Sequence, residues 1–220
     1  FLDGAPMTPV AARDRLPAGG WCADEEGLYV RPADGQPPGT HEIECVVRDN
    51  GVSLAGEIGH FRIRNLTAMH FANDGYNIHG TVRDAHFFDC HAHHCFDEGF
   101  SSHDACETLL DGGVFHHCWN GIKNVNRSGY SITRNVLIYA CRVEGFGTAL
   151  WDATARHEVR NLVLVDNPVG LMGRYVSADQ LLCIGGEGGS GTAIRARGPF
   201  MLKHATVLGH ETALDIEWAL

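Results

Sequence analysis

The sequence predicts an all-β chain wound into a right-handed parallel β-helix of about seven coils, preceded by a small N-terminal β segment. Three observations carry that expectation. A short phrase built on glycine returns roughly every 20 to 28 residues, the period of a solenoid with one coil per repeat. Its copies are Asn73-Asp74-Gly75-Tyr76, Asp97-Glu98-Gly99-Phe100, Asn120-Gly121-Ile122, Val169-Gly170-Leu171, Gly191-Thr192-Ala193-Ile194 and Glu211-Thr212-Ala213-Leu214. The apolar runs between them are short and rich in β-branched and aromatic residues, with no sustained 3.6-residue period. The 27 glycines among 220 residues also weigh against helix.

Residues 1–50 read differently from the rest. Turn-rich phrases, Pro17-Ala18-Gly19-Gly20 and Arg31-Pro32-Ala33-Asp34-Gly35-Gln36-Pro37-Pro38-Gly39, separate candidate strands at 27–30 and 42–47, as in a small β subdomain or an insertion. From 51 to 220 the repeat takes over, in coils at about 61–81, 82–105, 106–129, 130–155, 156–177, 178–198 and 199–220. Each opens on an apolar strand such as Phe61-Arg62-Ile63-Arg64-Asn65-Leu66. A second strand follows the glycine. Alternation along that strand points Tyr76, Ile78, Phe100, Ser102, Ile122, Asn124, Leu171, Gly173, Ile194, Ala196, Leu214 and Ile216 inward. It leaves two outward columns: Asn77, Ser101, Lys123, Trp151, Met172, Arg195 and Asp215, then His79, His103, Val125, Ala153, Arg174, Arg197 and Glu217. Coils stack about 4.8 Å apart, so each column is a line of spatial neighbours. The chain opens without Met and stops inside a coil, which reads as a fragment of a longer polypeptide.

The formal charge of -10 repels polyanions, so no nucleic-acid partner is expected unless a local basic patch of Lys123, Arg127, Arg174, Arg195 and Arg197 offsets it. No run of about 18 apolar residues is present, so no membrane span or membrane partner is expected. The eight cysteines lack the CxxC pairs of a zinc ribbon. Cys95, Cys118 and Cys141 fall three or four residues before a repeat glycine, as a buried interior column would, and a Cys22–Cys45 disulfide is the alternative use of the first two cysteines.

Chemistry concentrates in the first three copies of the phrase. Asp74, Asp97 and Glu98 precede the glycine in consecutive coils and are expected side by side on one exposed rim. Carboxyls that close cannot both ionise freely; one pKa rises and the other falls, giving an acid and a base or nucleophile. The same residues would also serve simply as turn formers. Asn77, His79, His103, Asp104 and Lys123 follow those turns and would bind substrate, joined by Arg174 and by Trp119 and Trp151 as aromatic platforms. His70, His94 and His116 each lie five residues before a glycine. Rungs 4.8 Å apart are too long a spacing for one ion with bonds of about 2.0–2.1 Å, so these imidazoles are read as a stack and no metal is assigned. Calcium is the one cofactor the acidic set would suit. No P-loop, dinucleotide fingerprint, GxSxG or HExxH occurs.

The run Asn73-Asp74-Gly75-Tyr76-Asn77-Ile78-His79-Gly80, answered one coil later by Asp97-Glu98-Gly99-Phe100-Ser101-Ser102-His103-Asp104, resembles the pectate lyase-like superfamily of right-handed β-helix proteins. The N-terminal stretch from Leu2-Asp3-Gly4-Ala5-Pro6 to Ala33-Asp34-Gly35 is similar to the segment inserted between early coils in β-helix glycosidases such as certain β-xylosidases. The chain departs from polygalacturonases, whose pattern has a threonine between the first Asn and Asp, then a Gly-His-Gly and an Arg-x-Lys. Here Asn120-Gly121-Ile122-Lys123 stands in the following coil.

The resemblance implies a secreted or periplasmic carbohydrate-active enzyme acting on a polysaccharide or oligosaccharide. Glycoside hydrolysis by Asp74 with Asp97 or Glu98 is the leading expectation. β-Elimination from a uronate with Lys123 or a histidine as base is the second, and a non-catalytic glycan-binding or adhesin module the third. The oligomeric state is left open by the sequence.

Overall fold

The computed structural model describes residues 1–148 and 154–217, in two units, Phe1–Val47 and Arg48–Leu220. In the first, the strands Thr8–Pro9, Gly20–Asp24 and Gly27–Arg31 form a three-stranded sheet in that order. The last two make a hairpin whose tight turn is held by Asp24, whose Oδ1 accepts the N–H groups of Glu26 and Gly27 at 2.8 and 3.1 Å. The expected strand at 42–47 is absent; that segment makes only an isolated bridge between Ile43 and Leu2. Cys22 and Cys45 are free thiols, so the alternative disulfide does not form.

The second unit is an all-β solenoid of about seven turns, with parallel strands paired coil on coil. Along the strand after the glycine, Tyr76 pairs with Phe100, Phe100 with Ile122, Ile122 with Phe146, Phe146 with Leu171, Leu171 with Ile194, and Ile194 with Leu214. All but Leu214 are at most 1% exposed and form the centre of the core. Leu214 and Ile216, expected inward, are 47 and 61% exposed. Among the described residues their strand pairs on one side only.

The repeating glycine is required by close approach rather than by a turn. A Cβ on Gly75 would sit 2.6 Å from the carbonyl oxygen of Gly99, one on Gly99 2.6 Å from that of Gly121, and one on Gly121 2.6 Å from that of Gly145. The corners use a different device, one residue with positive φ. Asn65, Asp89, Asn135, Asn161, Gln180 and His204 line one corner; His70, His94, His117, Ala140 and Asp166 line another. Asn, Asp and His are the non-glycine residues that tolerate this conformation best, which is why those letters recur there. Inside the second corner Cys95, Cys118 and Cys141 stack at 3, 0 and 3% exposure, as the interior-column reading expects. Among the described residues no helix is long and apolar enough to cross a membrane.

Candidate active site

The register defines a polar file along the residue just before each glycine: Glu98 pairs with Asn120, and Asn120 with Glu144. Asp74 stands before Gly75 in the preceding coil, where its Oδ1 accepts the Glu98 N–H at 3.0 Å. Glu144 was missing from the sequence expectation, although Glu144-Gly145-Phe146 repeats the letters of Glu98-Gly99-Phe100 one coil apart from Asn120-Gly121-Ile122. Omitting that copy also displaced Trp151. The partner of Lys123 in its column is Gly147, which in turn pairs with Met172; Trp151 itself lies outside the described residues.

Asp74, Asp97 and Glu98 come together, with one carboxylate oxygen from each lying within 4.8 Å of the others. They are not all on an exposed rim, however. Asp74 is 2% exposed and lies beneath the other two, because its neighbours in the file cover it. Asn50 Oδ1 accepts from the Asp74 N–H at 3.2 Å, from Asn73 Nδ2 at 2.9 Å and from Asn77 Nδ2 at 3.1 Å, fixing the floor of the site. Asn77 is thereby drawn down and buried rather than presented to solvent.

Burial is the main force on Glu98 and pushes its carboxyl up to about 8. Donation from Asn120 Nδ2 to Glu98 Oε1 at 2.9 Å pulls the other way, and the negative charges of Asp97 and Asp74 add to the rise. Burial also raises Asp74, opposed by the hydrogen bonds it receives from the Glu98 N–H and carboxyl. Glu98 thus keeps its proton at neutral pH and donates it in a hydrogen bond to the Asp74 carboxyl, while half-buried Asp97 stands beside them. One coil further, the backbone N–H of Trp119 donates to the Asp97 carbonyl at 2.8 Å, and Trp119 is 46% exposed. Asn120 Oδ1 is buried next to the acids with no hydrogen-bond partner among the described residues.

Lys123 is engaged. Its Nζ donates to Glu144 Oε2 at 2.6 Å, with the two side chains 20 and 5% exposed. Gly147 makes this possible, because a Cβ there would collide with Glu144 Oε2 and lie 2.8 Å from Lys123 Cδ. His79 and His103 do face each other as adjacent rungs, stacked with centroids 3.9 Å apart. His79 Nδ1 lies 3.5 Å from Asp104 Oδ2, and His103 Nε2 contacts Ser101 Oγ at 2.5 Å. Burial lowers the His103 imidazole to about 4, so it is neutral at physiological pH. Arg174 belongs to a later coil, where its N–H donates to Thr148 Oγ1, and it is not brought to the acids.

The histidines at the neighbouring corner take a different register from the expected one. His93 pairs with His116, and their rings stack at 4.8 Å; His94 stacks on His117, also at 4.8 Å. The turn from His117 to Asn120 is one residue shorter than that from His94 to Glu98, so counting back from the glycine puts His116 in the wrong column. Comparison with protein-family models, with curated proteins and with solved structures finds no match to the chain.

Proposed function

We propose that the solenoid is a glycoside hydrolase acting on a polysaccharide or oligosaccharide, with Glu98 as the proton donor and Asp97 as the nucleophile. The observation that carries this reading is the pair itself: a carboxyl held up to about 8 beside a second carboxylate whose oxygen lies within 4.8 Å. A protonated carboxyl is what a glycosidic oxygen needs as it leaves at neutral pH. Carboxyl oxygens no more than 4.8 Å apart suit direct attack on the anomeric carbon and a retaining outcome, since an inverting pair leaves room for water at roughly 6.5–9.5 Å. Glu98 gives its proton to the departing oxygen as Asp97 bonds to the anomeric carbon. Water then breaks that bond, returning its proton to Glu98.

Asp74, buried beneath, acts as a positioning residue that holds the Glu98 carboxyl and backbone. Exposed Trp119 offers a flat face to a sugar ring next to Asp97. The β-helix and the acidic motifs 73–80 and 97–104 support the pectate lyase-like resemblance. The ion pair of Lys123 with Glu144 weighs against Lys123 as the base of an elimination. Two carboxyls suffice for the chemistry, so the reading calls for no cofactor.

The test is a panel of neutral and acidic glycans assayed for reducing ends and for the ultraviolet absorbance of unsaturated uronates. Reducing ends without that absorbance are expected, with the anomeric configuration retained in the first product. Glu98→Gln and Asp97→Asn should each lower kcat about 100- to 10,000-fold. The wild-type rate should fall as pH rises past about 8, where Glu98 gives up its proton. Full activity in Glu98→Gln, an unsaturated product, or glycan retention without cleavage would each overturn the reading.

A further inference from the structure

A second cluster lies at the corner before the acids, outside the proposed catalytic set. His70 follows the strand Thr67–Met69; His93 ends the strand Thr81–His93; His94 comes next at the corner itself. One ring nitrogen from each of the three lies within 4.8 Å of the other two. His93 Nδ1 and His94 Nδ1 are only 2.9 Å apart and share a proton. The rings of His70 stand edge-on to both, with centroids 6.1 Å from His93 and 5.8 Å from His94.

The 4.8 Å rung spacing argues against an ion bridging equivalent positions down one column, but this triangle closes another way. His93 and His94 are adjacent in the chain and belong to the same coil. One lies on the strand and the other at positive φ, which turns neighbouring side chains toward a common point. Only His70 comes from the coil below. Nitrogens around a tetrahedral ion with bonds of about 2.05 Å stand about 3.4 Å apart. The 2.9 Å pair therefore needs to open by a few tenths of an ångström, and His70 to swing in by roughly one. Replacing the shared proton by a metal ion satisfies both Nδ1 atoms together.

The donor set fixes the class of ion. Three imidazoles with no carboxylate or thiolate disfavour calcium and magnesium and suit zinc, copper or nickel. All three histidines are half-buried, so solvent reaches the cluster. We propose that His70, His93 and His94 form a binding site for a zinc-type divalent transition-metal ion, with a fourth position open to water. The site is independent of the hydrolase reading.

The experiment titrates the 220-residue chain, carrying no polyhistidine tag, with Co2+ as a spectroscopic stand-in for Zn2+, by calorimetry and by visible d–d absorption. One Co2+ per chain should bind, develop the d–d bands of nitrogen ligation, and be displaced by Zn2+ but not by Ca2+. His70→Asn and His94→Asn keep a residue that tolerates the φ of 60° and 54° found there, so these variants should fold. Each should weaken Co2+ at least 10-fold, as should His93→Gln. His204→Asn, at a φ of 48° and with a side chain 77% exposed, is the matched control and should bind as wild type does. Absence of saturable binding, binding that survives in the folded His70→Asn and His94→Asn chains, or equal loss in His204→Asn would each overturn the proposal.

Discussion

Lys123→Met should be among the most damaging single changes near the site, and the structure sets its size. The Glu144 side chain is 5% exposed and its Oε2 is held by Lys123 Nζ at 2.6 Å. Removing the amine strands a buried carboxylate, a loss of about 3–5 kcal/mol. The stranded group has an escape, which is to take up a proton. Protonating a glutamate of ordinary pKa at pH 7 costs about 3.7 kcal/mol, which caps the loss; at pH 5 the cap falls to about 1 kcal/mol. The expected result is therefore a loss of about 3 kcal/mol at pH 7 that shrinks to about 1 at pH 5. In a thermal melt the pH 7 value corresponds to roughly 10 °C for a unit of this size. The double variant Lys123→Met with Glu144→Leu removes both charges and should return to within about 1 kcal/mol of wild type. Urea unfolding of wild type, Lys123→Met and the double variant at the two pH values is the assay. A loss below about 1 kcal/mol at pH 7, or one that does not shrink on acidification, would refute the buried-pair argument.

Glu98 gives the opposite sign. Its folded pKa of about 8 lies above the ordinary 4.5, so both states hold the proton below pH 4.5 and the group contributes nothing there. Between 4.5 and 8 only the unfolded chain releases it, and stability falls as pH rises. Glu98→Gln should thus match wild type at pH 4.5 and exceed it at pH 8.5 by on the order of 4 kcal/mol in urea unfolding, while losing activity. Phe146→Ala, at a residue 0% exposed, should cost about 3–5 kcal/mol, whereas Leu214→Ala at 47% exposure should cost under about 1. Gly99→Ala puts a Cβ 2.6 Å from the Gly121 oxygen and 2.9 Å from Phe115 Cδ1, and should cost about 1–3 kcal/mol in the same melts.

The coil period was legible because the glycine is a steric requirement at the coil contacts from Gly75 to Gly170, and steric requirements show as letters. The core alternation from Tyr76 to Ile194 was legible for a similar reason. Less visible was anything that depends on how side chains lean across coils. Asn77 and Lys123 occupy outward positions by alternation, yet one is pulled onto Asn50 and the other across Gly147 to Glu144. Alternation assigns the direction of a Cβ, not the reach of a long side chain. Glu144 could have been found, since it precedes a Gly-Phe pair just as Glu98 does, and its recognition would have placed Gly147 rather than Trp151 beside Lys123. The histidine columns were misread because the corner between them loses one residue in one coil. Asp74 was placed correctly in sequence order but on the wrong side of the surface, since a coil below and a coil above together cover it.

The claim on which the proposed chemistry rests is that Glu98 keeps its proton at neutral pH beside Asp97. It is tested most directly by following the side-chain carboxyl carbon of Glu98 by NMR through a pH titration of 13C-glutamate-labelled protein, assigned by comparison with Glu98→Gln. The account predicts a midpoint near 8, well above the other glutamates. A midpoint near 4.5 would contradict it and leave the site without its acid.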